Sequence, residues 1–113
     1  MGAWRETHDR SLSDPEGFWG EQAELVSWFA KPTVILDRSR PPFYRWYAGG
    51  RLNTCYNALD RHVIAGRADQ LALIYDSAMT GAQTTFTYAK LLEKVAAFAG
   101  ALRAFGVGRG IAW

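Results

Sequence analysis

The apolar positions of this chain change spacing several times, and each change marks an element. Phe18, Trp19, Ala23, Leu25, Val26 and Phe29 recur at roughly helical spacing. Just before them, Ser13-Asp14-Pro15-Glu16 reads as a helix start, with Ser13 as the cap, Pro15 in the first turn and Glu16 three residues after the cap. Lys31-Pro32 ends this helix. Val34-Ile35-Leu36 is a short extended piece in a loop running from Thr33 to Pro42. Pro41-Pro42 fixes an extended entry into the segment from Phe43 to Tyr47, which fits a strand or an irregular stretch, and Gly49-Gly50 is a turn.

Asn53 is placed to cap a second helix with Tyr56, Leu59, Val63 and Ile64 on its buried stripe and Gly66 just past its end. The apolar run from Leu71 to Tyr75, ended by Asp76-Ser77, reads as a buried strand. Residues 79–83 form a hairpin connection and Thr84 to Thr87 the return strand. The clearest helix follows: Thr87 caps it, Leu91, Leu92, Val95, Phe98, Ala99 and Leu102 form one stripe, and Gly106 stops it. Residues 107–113 look like a linker into another strand. The chain shows no internal repeat, low-complexity tract or flexible interdomain linker.

Composition narrows the function classes. At 113 residues the chain is long enough for one domain with a sizeable core, and 49% apolar with 21% charged residues is ordinary for a globular protein. Aromatics reach 14% and include five Trp, which favours extensive packing or an interface over disorder. The net charge of +2 comes from thirteen basic and eleven acidic residues without clustering, so the footprint that nucleic acid needs is missing. Cys55 is the only cysteine, which excludes an internal disulfide and suits a reducing compartment, the cytoplasm. No apolar stretch has the length of a signal-peptide core or a membrane span, and Thr7 falls one place beyond where a Gly2 myristoylation pattern wants its Ser/Thr.

The candidate chemistry is thin. The stretch from Phe43 to His62 packs five aromatic side chains, three arginines and two asparagines into twenty positions, so it either lines a site or braces one part of a larger protein against another. Within it, Cys55 and His62 suggest a thiol–imidazole pair, but seven helical residues set them ~10 Å apart along the axis, whereas a nucleophile and its base need ~3 Å. Cys55 is better read as a small packed residue and His62 as a hydrogen-bonded or exposed one. His8 and His62 lie far apart, with no cluster at metal-ligand spacing. The glycines from Gly106 to Gly110 follow a helix instead of opening one, the reverse of a phosphate-cradling loop. The tip from Ala78 to Thr85 has the Thr and Gly of such a loop but no lysine, so a hairpin tip fits better. In Asp60-Arg61-His62, successive helical neighbours do not face one another. They reach different partners, and Arg61 is suited to a carboxylate or a carbonyl in another segment.

One longer pattern carries more. Leu52-Asn-Thr-Cys-Tyr-Asn-Ala-Leu-Asp-Arg-His62, then Gly66-Arg67, Asp69-Gln70, Ala72-Leu-Ile-Tyr-Asp-Ser77 and Thr87-Tyr88 resembles the N-terminal region of the AMP-forming short-chain acyl-CoA synthetases. Phe18-Trp19, Trp28, Phe43-Tyr44 and Gly49-Gly50 fall in the same order, so the resemblance covers roughly residues 15 to 110. Within the family, the run from Asn53 to His62 and the run from Ala72 to Ser77 read closer to propionyl- than to acetyl-CoA synthetases. The resemblance implies a carboxylate attacking the α-phosphate of ATP, then coenzyme A displacing AMP from the acyl-adenylate. ATP, Mg²⁺ and coenzyme A are therefore implied for the full-length family and none for this chain. The family's phosphate loop and catalytic lysine have no counterpart here, because Lys31, Lys90 and Lys94 sit in no matching motif. No catalytic, cofactor-binding or metal-binding residue carries over. Ile111-Ala112-Trp113 also departs from the family, which continues with Asp and an alternating strand. That ending fits an engineered piece, a truncated gene or a shifted reading frame.

The fold expected is α/β: an incomplete N-terminal segment of the large domain of an acyl-adenylate-forming enzyme, built of helices and a short β-hairpin. Residues 1–14 are a tail, 15–66 an N-terminal extension, and 67–113 the start of the AMP-binding domain. The function expected is that of the N-terminal piece of a propionate–CoA ligase, inactive alone. Its implied partner is the remaining synthetase polypeptide, not nucleic acid or membrane, with self-association through exposed apolar faces left open. The alternative is a stand-alone interaction module, or a truncated gene product, using the aromatic and arginine run as its partner surface.

Overall fold

A computed structural model describes residues 2–110. The chain forms two units, Met1–Thr54 and Cys55–Trp113. In the first, helix α1 (Gly2–Ser13) precedes helix α2 (Pro15–Ala23), and strands β1 (Val34–Asp37) and β2 (Arg45–Ala48) pair antiparallel with Leu36 opposite Trp46.

The tail expected over the first fourteen residues is helical. Trp4 and Leu12 are its only large apolar side chains and both are exposed, so no apolar stripe advertises it. The cap of α2 is Asp14 instead of Ser13: the Asp14 carboxylate accepts a hydrogen bond from the Gly17 N–H at 3.1 Å. With Asp14 as cap, Pro15 becomes the first helical residue, where its missing N–H costs nothing. The helix also stops at Ala23, well short of Lys31. The Trp28 indole N–H donates to the Ala23 carbonyl at 2.7 Å, satisfying an end group of the helix with a ring that the apolar spacing placed inside it. Beyond this, Ala30 bridges Arg51, and the Thr33 N–H donates to the Ala48 carbonyl at 2.9 Å, closing the loop onto β2.

In the second unit, a helical run over residues 55–67 contains two wide turns with i→i+5 hydrogen bonding, Tyr56–Asp60 and Val63–Arg67. Gly66 leaves helical geometry at φ 82°, as expected of a terminating glycine. Strands β3 (Leu71–Ser77) and β4 (Ala82–Thr87) form an antiparallel hairpin. The Thr87 hydroxyl caps helix α3 (Tyr88–Ala104) by accepting from the Lys90 N–H at 3.3 Å, and Gly106 follows at φ 83°. The expected linker is described as far as Gly110, and its last three residues lie outside the described ones.

Burial departs most from expectation. Among the described residues only Phe18, Ala23, Leu36 and Leu59 form a buried apolar core. Ile64, expected on the second stripe, is 75% exposed, and the β3 run expected to be buried is largely open. Along α3, Leu91, Leu92 and Val95 are half-buried, while Phe98, Ala99 and Leu102 face solvent. The chain exposes 9081 Å², whereas two separate compact units of half its mass would together expose about 7,500 Å² by the scaling of folded proteins. The excess, about 1,600 Å², is about twice what one partner contributes to a standard protein–protein interface.

Candidate functional site

The aromatic and arginine run is divided between the two units. The break between the two units falls after Thr54, so Phe43 to Arg51 belong to the first unit and Cys55 to His62 to the second. Each half builds a separate cluster.

In the first unit, β2 delivers Trp46 and Tyr47 beside α2. A chain of rings runs from Phe18 to Trp19 (centroids 5.1 Å), Trp46 (6.4 Å), Tyr47 (6.0 Å) and Trp28 (5.6 Å), edge-on or tilted throughout. Tyr47 takes φ 52°, rare for a residue with a side chain, and its hydroxyl donates to the Trp19 carbonyl at 3.2 Å. Gly50 makes the tight return possible, since a Cβ there would stand 2.8 Å from the Trp28 ring. Beside the ladder lies an apolar cleft of about 290 Å³ walled by Trp19, Val26, Trp28, Tyr47 and Leu52. A second cleft, about 490 Å³, opens between α1 and α2 along Trp4, His8, Phe18 and Trp19, with the His8 ring stacked on Trp4 at 5.7 Å. Ion pairs rim this unit: Arg10 to Glu21, Lys31 to Glu24 at 2.6 Å and Arg38 to Glu16 at 3.5 Å. The Arg10 guanidinium, hydrogen-bonded to Glu21, holds that carboxyl below its usual range.

In the second unit, the His62 ring lies 5.0 Å from the Tyr88 ring, and the Arg67 guanidinium sits 5.9 Å over the same ring. His62 Nδ1 and Arg67 also meet directly. Residues five apart do not face one another on an α-helix, but the wide turn Val63–Arg67 brings them together. Partial burial, then Arg67, then Arg61 hold the His62 pKa below its ordinary value. Sequence reasoning missed Arg67 as a partner of His62, and Gly66, which lets the chain leave the helix there, was the only available signal. Cys55 is an exposed free thiol.

No chemistry of phosphate transfer gathers in either cluster. Lys31 is paired with Glu24 and Lys94 lies 5.8 Å over the Phe86 ring. The tip between β3 and β4 carries no basic residue. Among the described residues no three His, Cys, Asp or Glu side chains could share a metal ion, and no helix is long and apolar enough to cross a membrane. What the two units do present is uncovered apolar surface.

Residues 4–58 match the family model of the acetyl-coenzyme A synthetase N-terminus. An acetyl-coenzyme A synthetase of Burkholderia lata is 44% identical over 111 residues, 97% of this chain and 17% of the relative. The chain is a homologue of the N-terminal part of short-chain acyl-CoA synthetases. The human acyl-CoA synthetase short-chain family member 3, mitochondrial, is 46% identical over 100 residues, 88% of this chain and 15% of the relative. An uncharacterised protein of Pseudomonas aeruginosa is 50% identical over 103 residues, 91% of this chain and 16% of the relative. The chain thus spans about a sixth of the length of these relatives. Its helices and small antiparallel sheets agree with the N-terminal segment of such a synthetase.

Proposed function

We propose that this chain acts as the N-terminal part of an AMP-forming acyl-CoA synthetase that activates propionate or a similarly short acid. In that role it supplies packing surface and no catalytic group. ATP, Mg²⁺ and coenzyme A are met by polypeptide beyond α3, and the partner of this chain is that polypeptide, in the cytoplasm. The observation that carries the reading is the excess of exposed surface, with many large apolar side chains in it, in a chain that covers about a sixth of relatives homologous to it over nearly its whole length. Residues 15–66 then form an N-terminal extension behind the first fourteen residues, and residues 67–113, with the hairpin and α3, the opening of the adenylating domain. The preference for propionate is supported by the wording of Asn53 to His62 and of Ala72 to Ser77. A stand-alone interaction module is not favoured, because homology of this extent accounts for the same surface.

Carboxylate-dependent ATP–pyrophosphate exchange tests the proposal. The isolated chain gives no exchange with any short acid. A polypeptide of the relatives' length carrying this sequence exchanges faster with propionate than with acetate. Robust exchange by the isolated chain overturns the packing role, and faster turnover of acetate overturns the substrate assignment.

A further inference from the structure

The tip of the β1–β2 hairpin gathers charge in an unusual arrangement. The register sets Asp37 opposite Arg45, a cross-strand position where opposite charges ordinarily pair. Here the pair does not close. The Asp37 carboxylate accepts instead from the Ser39 N–H at 2.9 Å and from the Ser39 hydroxyl, and these two bonds, with Arg45 as a weaker influence, hold its pKa below the ordinary value. Beyond Ser39 the chain folds back: the Phe43 N–H donates to the Arg40 carbonyl at 2.7 Å and the Tyr44 N–H to the Pro42 carbonyl at 3.1 Å. That turn brings Arg40 and Arg45 to one concavity, a pocket of about 180 Å³ lined by Asp37, Ser39, Arg40, Phe43 and Arg45. Arg38, on the same tip, is engaged by Glu16 at 3.5 Å. Among the described residues, neither Arg40 nor Arg45 stands within ion-pair distance of a carboxylate.

We propose that this pocket binds a small oxyanion, a phosphate or carboxylate group gripped between the Arg40 and Arg45 guanidinium groups. The site goes beyond the packing role assigned above and does not depend on it. A guanidinium presents a planar fork of N–H donors matched to the paired oxygens of such a group, and two forks on one pocket can hold it from two sides. Two guanidinium charges outweigh the single carboxylate, whose oxygens are already engaged by Ser39, so the pocket is positive. The Ser39 hydroxyl is spent on Asp37, and Phe43 closes one side without a hydrogen-bonding group. The anion is therefore held by the two arginines, while Asp37 fixes the turn that places them. The oxyanion can come from two sources, a free anion or an acidic side chain of polypeptide beyond this chain, and both meet the same two forks.

Arginine labelling tests the site. Phenylglyoxal modification, mapped by mass spectrometry, is followed at fixed pH and ionic strength as inorganic phosphate replaces chloride. It is measured on the isolated chain and on a chimera in which this chain replaces the matched segment of the Burkholderia lata synthetase. Phosphate slows the labelling of Arg40 and Arg45 together and saturably, with a midpoint of about 1–10 mM, and leaves the exposed Arg103 of α3 unchanged. Arg40→Gln raises the midpoint read at Arg45 at least ~10-fold, Arg45→Gln does the same at Arg40, and the Lys variants fall between. Protection in the chimera, with or without the isolated chain, assigns the site to a free anion. Protection in the isolated chain alone, with Arg40 and Arg45 already unreactive in the chimera, assigns it to an acidic side chain of the added polypeptide. Protection in neither protein, protection of Arg5 and Arg103 in step with Arg40 and Arg45, or a midpoint at Arg45 unmoved by Arg40→Gln overturns the proposal.

Discussion

Leu59 and Ile64 stand five residues apart in one helical run, yet one is 8% and the other 75% exposed. The pair makes a sharp test of the packing of the second unit, where α3 lies against the turn that carries Leu59. Leu59→Ala removes three buried carbons, about 2.4 kcal/mol of transfer free energy at ~0.8 kcal/mol each, and adds a cavity term that brings the cost to about 2–5 kcal/mol. A unit of about sixty residues has roughly 3–9 kcal/mol to lose, so the substitution removes much of its stability. Ile64→Ala costs within about 0.5 kcal/mol, because water already surrounds the side chain. Native-state hydrogen exchange of the α3 amides reads both changes. Leu59→Ala accelerates exchange about 30- to 5,000-fold, up to the limit set by the unit's own stability, and Ile64→Ala about two-fold. Equal acceleration by the two variants, or a larger effect at Ile64, would refute the burial pattern of the second unit.

Gly50→Ala drives a methyl group to 2.8 Å from the Trp28 ring and 3.0 Å from the Tyr47 carbonyl. It lowers the stability of the first unit by about 1–3 kcal/mol, whereas Gly20→Ala, with 3.6 Å to Ile35, is neutral to stabilising in a tryptophan-fluorescence melt. Asp14→Ala costs about 0.5–2 kcal/mol through the lost cap of α2, while Ser13→Ala is nearly silent, and amide exchange of residues 15–18 separates them. For His62, the lowered folded pKa means that the unfolded chain takes up the proton first as pH falls. The stabilisation is therefore present above the unfolded value near 6.5 and lost as pH falls through the lower folded value. A proton NMR titration of the imidazole gives a midpoint below 6.5 that rises in Arg67→Gln; a midpoint at or above 6.5 contradicts the cluster.

Local chemistry made the second unit's elements legible. The Thr87 cap, the apolar spacing of α3, the turn glycines Gly66 and Gly106 and the strand composition of β3 and β4 all act within a few residues of where they are read. The first unit was harder. Leu25, Val26 and Phe29 continue the helical period, but a long-range contact overrides it when Trp28 turns back to close the end of α2. The helix α1 lacks the apolar stripe that periodicity detects. The pairing of His62 with Arg67 depends on a wide turn that no side-chain pattern specifies. Burial was legible least, since a stripe such as Leu91 to Leu102 shows which side seeks cover without showing whether this chain supplies it. Only its first half is covered here.

The central claim, that this chain is the N-terminal part of a synthetase and completes its body by packing, is tested most directly by replacement. The Burkholderia lata relative is prepared without its matched segment and as the chimera carrying this chain in its place, and acetate-dependent ATP–pyrophosphate exchange is measured on both. The account predicts that the deletion is inactive and that the chimera is soluble and restores exchange. A chimera no more active than the deletion would contradict it.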